Sequence, residues 1–169
     1  MRTDSLRFVC DVHLARVARD LRLLGFDTLY RNDMTDDELI GRCRFGRIGL
    51  TCDRRLQERM PESIVLLRCE EAQRQIRRID AMFGLARRAL PLRRSLCCNR
   101  VLVPIEKGMG IPKKTYRWLV GFWICPRCKK IYWRGTHAER MRQKIYHLLG
   151  YQKSAESTAG KRGLESGDP

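Results

Sequence analysis

Two stretches of this chain end alike. Phe8-Val9-Cys10-Asp11 and Ile48-Gly49-Leu50-Thr51-Cys52-Asp53 are brief apolar runs that stop at a carboxylate, and each is followed by a segment that reads as helix. Short apolar runs bounded in this way are compatible with buried strands of a parallel sheet. In an open α/β sheet the crevice beyond the carboxyl ends of the strands is where ligands bind. The pattern therefore confines the chain to an α/β fold that delivers two acids to one edge. Asp is also a common helix cap, so each carboxylate carries a bland reading beside the functional one.

The rest of the first half keeps the alternation. Residues 6–11 read as a first strand. From Val12 to Gly25, Leu14, Val17, Ala18, Leu21 and Leu24 fall at helical spacing, with Arg16, Arg19 and Asp20 mostly opposite and Gly25 as the stop. A strand follows at 27–30. Thr35 and Glu38 frame a capping box around Asp36 and Asp37, opening a helix to about Phe45. A strand at 47–53, a short polar helix broken at Pro61, a strand at 64–68 and a basic amphipathic helix over about 70–85 complete a three-layer domain with a mainly parallel sheet in residues 1–90. After Pro91 the character changes. Residues 97–133 hold four cysteines and all three tryptophans of the chain. That composition belongs to a small module held by metal rather than by a large core, spanning 91–150 and closed by a helix from Met141 to Leu149. Residues 151–169 are polar and without periodicity, and read as a disordered tail.

The 169 residues carry 35 Lys and Arg against 19 Asp and Glu, a formal charge of +16. Such an excess is the footprint of a protein that meets a polyanion, with nucleic acid foremost and a generically basic surface as the alternative. No segment is long and apolar enough to cross a bilayer, and the N-terminus lacks the order of a signal peptide. The expectation is a cytoplasmic protein without a membrane partner. In that compartment its eight cysteines form no disulfide framework.

Asp11 and Asp53 need company to hold a metal, and Asp36 and Asp37, at a helix start, are the best candidates. Two carboxylates about 4 Å apart repel by roughly 1 kcal/mol in water and about 4 kcal/mol at an effective dielectric near 20. A cluster of three thus needs a cation or a basic neighbour, for which Arg22, Arg54 and Arg55 are available. Mg²⁺ or Mn²⁺ favours carboxylate and water oxygens, and would activate water against a phosphodiester.

Leu14-Ala15-Arg16, Leu21 through Asp27, Asp36-Asp37-Glu38-Leu39, Leu50 through Leu56, Gln73, Phe83-Gly84-Leu85, Cys98-Asn99 and Cys125-Pro126-Arg127-Cys128 through His137 come in an order and spacing that resembles the Mut-seven C-terminal ribonuclease domain family. The resemblance covers about residues 6–149. It implies a PIN-like nuclease fold followed by a small C-terminal zinc ribbon, a metal-dependent ribonuclease activity, and Asp11, Asp36 and Asp53 in the catalytic acidic positions, with Asp37 the alternative to Asp36. The other reading of such a chain is an RNA-binding adaptor that keeps the fold without cleavage.

Cys125-Pro126-Arg127-Cys128 is half of a zinc site, two thiolates on one tight turn. The family pattern leads to Cys-x-x-Cys-Asn for the other half, and Cys98-Asn99 supplies its end. Ser95 falls on the first Cys position and Cys97 is additional. Either Cys97 takes the fourth place, or His137 or water completes the shell, or the site is degraded. From Lys113 to Lys144 ten Lys and Arg face one acid, interleaved with aromatics. Cations bind phosphates and aromatic faces stack on unpaired bases. Lys113, Lys114, Arg117, Lys129, Lys130, Arg134 and His137 are the RNA-binding candidates.

Overall fold

The computed structural model describes residues 6–91, 93–106, 121–133 and 136–149, with the backbone alone at Trp133 and over 136–142. Lys113, Lys114, Arg117 and Arg134 lie outside the described residues, as does the side chain of His137.

Four parallel strands form the first sheet: β1 (Arg7–Cys10), β2 (Asp27–Leu29), β3 (Ile48–Thr51) and β4 (Ile64–Leu66), in the order β2-β1-β3-β4. Helices α1 (Ala15–Leu23), α2 (Asp36–Arg44) and α3 (Arg54–Glu58) connect them, and α4 (Ala72–Phe83) and α5 (Leu85–Arg88) follow. The strand period of two sorts the side chains to opposite faces. Phe8, Cys10 and Leu50 join Leu21, Leu24, Ile76 and Ile79 in one core, whereas Val9 joins Leu39, Ile40, Leu56 and Ile64 in the other. The result is three layers. Gly49 permits the second core to close, since a Cβ there would stand 2.8 Å from both the Cys43 sulfur and an Ile64 carbon.

The expected helix from Val12 opens instead as a single 3₁₀ turn at Val12–Leu14 before α1 begins. The polar face expected of α1 also needs correction. Arg16 and Arg19 are exposed, but Asp20 is buried and paired with Lys144. Its cover is α6 (Thr136–Leu149), which starts five residues earlier than expected and packs on α4, sending Leu148 into the first core. Gln73 and Arg77 donate to the His147 carbonyl at 3.0 and 3.3 Å. The capping box is present as read: Glu38 N–H donates to Thr35 Oγ1, and Thr35 N–H to the Glu38 carboxylate.

The second sheet is antiparallel, β5 (Val103–Ile105), β6 (Phe122–Ile124) and β7 (Ile131–Trp133), with β6 central. Among the described residues, no helix is long and apolar enough to cross a membrane.

Candidate active site and metal centre

Asp11 and Asp53 stand just beyond β1 and β3, which are neighbours in the sheet. Asp11 N–H extends the pairing by donating to the Leu50 carbonyl at 3.0 Å. Both acids are helix caps. Asp11 Oδ1 accepts from Val12 N–H at 2.5 Å, and Asp53 Oδ1 from Arg55 N–H at 2.7 Å. They are more than caps, because Thr51 ties them together. Its hydroxyl donates to Asp11 Oδ2 at 2.8 Å and accepts from Asp53 N–H at 2.9 Å. Thr51 is fully buried and Asp11 is 7 % exposed, so the Asp11 carboxylate is held at the end of the sheet, while Asp53 beside it is exposed. Sequence reasoning passed over Thr51 as a strand residue. Its place two before Asp53 was the available signal.

Asp36 and Asp37 sit in the first turn of α2, exposed, and the basic neighbour is none of the three expected. Arg59 approaches Asp36 Oδ2 at 3.9 Å and bonds directly to Asp37 Oδ1. Arg22 is spent elsewhere, donating to the carbonyls of Thr28, Leu96 and Cys97. Among the described residues the acids do not form a group whose ligand atoms all lie within 4.8 Å. Their oxygens are hard donors of the kind Mg²⁺ and Mn²⁺ take.

Such a close group does exist, in the thiols of Cys97, Cys98 and Cys128. Cys97 Sγ is 3.6 Å from Cys128 Sγ and 4.0 Å from Cys98 Sγ. Sulfurs about 2.3 Å from a tetrahedral zinc lie about 3.8 Å from one another, so the spacing fits that ion. Two matching turns present these groups. Asn99 N–H donates to the Ser95 carbonyl and Lys129 N–H to the Cys125 carbonyl, both at 3.0 Å. Ser95 N–H donates to the Arg100 carbonyl, and Cys125 N–H to that of Lys130. Asn99 and Lys129 share a φ of 58°. Ser95 is therefore the geometric counterpart of Cys125, and Cys98 of Cys128.

Cys125 is buried and outside the close trio. Its thiol is pushed up by burial, but the backbone N–H groups of Cys128 and Arg127, with Ser95 and Cys128, outweigh that and bring it down to about 7. Cys97 behaves likewise: burial raises it, while hydrogen bonds with Ser95, Cys128, Tyr132 and Cys98 lower it to about 6. Burial and the neighbouring thiols Cys128 and Cys97 push Cys98 up to about 12. Ser95 Oγ reaches Cys97 Sγ at 3.4 Å and Tyr132 OH at 3.1 Å. Neither Ser95 nor Tyr132 was expected as a partner of Cys97.

The thiol turns are locked to the parallel sheet. Asn99 Nδ2 donates to Asp27 Oδ1 at 2.8 Å, and Thr28 N–H donates to Asn99 Oδ1 at 3.0 Å. Arg47 donates to the same Asp27 oxygen at 2.9 Å. Burial opposes ionisation of Asp27, yet Arg47, Asn99 and Arg94 hold its carboxyl below the usual range.

An open, parallel four-stranded sheet with two acids at its carboxyl edge and a thiol cluster docked on its flank makes this an α/β protein with a small second sheet. The chain belongs to the Mut7-C RNAse domain family, whose description matches residues 6–145, most of its length. No curated protein and no solved structure matches the chain.

Proposed function

We propose that this protein is a metal-dependent ribonuclease that hydrolyses RNA phosphodiester bonds, with Asp11, Asp36 and Asp53 as its catalytic carboxylates and Asp37 beside them. The observation that carries this reading is that Asp11 and Asp53 follow two adjacent strand ends, with the Thr51 hydroxyl bonded to the Asp11 carboxylate and to the Asp53 backbone N–H. A bound Mg²⁺ or Mn²⁺ ion would activate water and stabilise charge on the phosphate. The Asp11 carboxylate is fixed by its cap and by Thr51, and that of Asp53 by its cap, which limits the reorganisation needed when charge develops. Cys97, Cys98, Cys125 and Cys128 would hold Zn²⁺ in a ribbon, Ser95 hydrogen-bonding into the shell. Lys113, Lys114, Arg117, Lys129, Lys130, Arg134 and His137 contribute to RNA binding.

One observation favours a second reading, an RNA-binding adaptor without cleavage: Arg59 already pairs with Asp37 and approaches Asp36. Incubating purified protein with mixed RNA substrates separates the two. Cleavage with Mn²⁺ that chelator stops is expected. RNA that is bound yet intact in both conditions establishes the adaptor.

A further inference from the structure

We propose that the cleft between β2 and the thiol turns is the track for the phosphate backbone of single-stranded RNA, with Arg42, Arg100 and Arg127 as its phosphate contacts. This rests on the ribonuclease reading and adds the path by which substrate reaches the acids. Two cavities of about 550 and 490 Å³ share Leu29, Cys98, Asn99 and Arg127 in their walls, so they adjoin along one face, which we treat as a single cleft.

Seven arginines line this cleft against two carboxylates, Asp27 and Glu38. Both carboxylates are already engaged, Asp27 by Arg47 and Arg94, Glu38 by Arg31. Arg22 is occupied by carbonyls. The side chains of Arg42, Arg100 and Arg127 are exposed and, among the described residues, make no hydrogen bond or ion pair. Arg42 stands near Glu38 and helps to keep that carboxylate ionised, but Glu38 is already bonded to Arg31. Arg100 and Arg127 face no carboxylate of their own among the described residues. Such an excess of positive charge is the arrangement that binds a polyanion. Tyr30 lines the same cleft, half-buried, and offers a ring face to an unpaired base. That favours a single strand over a duplex.

None of the catalytic acids lines the cleft, but its β2 wall ends beside one of them. Val9 pairs with Leu29, so Tyr30 and Arg31 continue beside Cys10 and Asp11. Adjacent strands are about 4.8 Å apart. The Tyr30 hydroxyl donates to the Val12 carbonyl at 3.1 Å, one residue from Asp11.

The test is the triple variant Arg42→Gln, Arg100→Gln, Arg127→Gln, with the triple Arg→Lys variant as a charge-retaining partner. Binding of a fluorescent single-stranded 12-mer RNA is titrated over salt without added divalent metal. Single-turnover cleavage is then measured at saturating enzyme with Mn²⁺. The Gln variant is expected to bind at least about tenfold more weakly, with a log K against log salt slope lower by about 2, as three lost contacts at roughly 0.7 each require. The Lys variant should restore most of the slope. Wild-type affinity and slope in the Gln variant, with zinc content and melting temperature unchanged, overturn the cleft. An equal loss of binding to polyglutamate also overturns it, since the surface is then a site for acidic protein. Wild-type protein that binds RNA through these arginines but cleaves nothing leaves the cleft standing and removes the ribonuclease reading.

Discussion

The two sheets of this molecule are stabilised by different means. The parallel sheet buries Phe8, Leu21, Leu50, Ile76 and Ile79 completely and closes a core on each face. Each such side chain contributes about 1.5–3 kcal/mol. Between residues 93 and 133 the buried hydrophobics among those described are Leu102, Phe122 and Cys125 alone. That module depends on polar ties: the thiol trio, Arg22 on the Leu96 and Cys97 carbonyls, and Asn99 on β2. The difference teaches that the scaffold beneath the carboxylates rests on buried apolar side chains, whereas its neighbour has few of them and rests on polar contacts and a thiol cluster that could hold a metal. The regions should respond separately to damage.

The largest separation is chemical. Asp53→Asn is expected to reduce metal-dependent RNA cleavage by more than about 100-fold, because even partners behind a metal ligand cost 10–100-fold when removed. Asn caps helices as well as Asp, so α3 and the melting temperature should survive. Cleavage at wild-type rate with saturating Mn²⁺ would reduce Asp53 to a cap and move the chemistry out of the parallel sheet.

Next comes removal of zinc. The purified protein should carry close to one zinc, and chelation should accelerate amide exchange at Phe122–Ile124 and Ile131–Trp133 more than about tenfold, while Phe8–Cys10 stays protected. Ser95→Cys places a thiol at the counterpart of Cys125 and should slow zinc loss to chelator. Equal acceleration in both sheets would show that the parallel sheet leans on the metal too. A zinc-free protein under reducing, chelator-free purification would remove zinc from this account.

A smaller effect tests the joint between the regions. Asn99→Ala deletes two hydrogen bonds, one to an ionised partner, and puts Ala at a φ of 58°. About 2–3 kcal/mol should be lost in urea unfolding at neutral pH. The pH dependence has a defined sign. Asp27 has a depressed folded pKa, so its contribution is present above the unfolded value and is lost as pH falls through the folded one. The variant has already lost part of that contribution. Its deficit against wild type should narrow in acid below the usual carboxylate range, and a constant deficit would dissociate Asn99 from the charge of Asp27.

What could be read from the sequence was local. Thr35 and Glu38 declare their capping box three residues apart, Gly25 ends α1's turn at a φ of 95°, and Asp11 and Asp53 announce themselves by following apolar runs. What escaped was distant. Asp20 is polar by helical spacing and becomes buried because Lys144, 124 residues on, covers it. Arg59 reaches Asp37 across 22 residues, so no pattern around the acids could point to it. The extra Cys97 stood out in the sequence, but its fit beside Cys128 depends on two turns superposing 31 residues apart.

The smallest expected effect concerns the outer surface of the thiol module. Lys129 and Lys130 are exposed at the second turn, and Lys129 carries the left-handed conformation, so Lys129→Asn with Lys130→Gln removes both charges while keeping a residue that tolerates a positive φ. Two lost phosphate contacts should lower the slope of log K against log salt by about 1.4. Single-turnover cleavage at saturating protein should stay within about twofold, because the carboxylates sit on the other sheet and the turn keeps its shape. If the slope is unchanged, these lysines are a solvated face and binding falls to the arginine cleft. If the saturated rate falls with the slope, the thiol module does more than bind, and the division of labour between the two sheets is wrong.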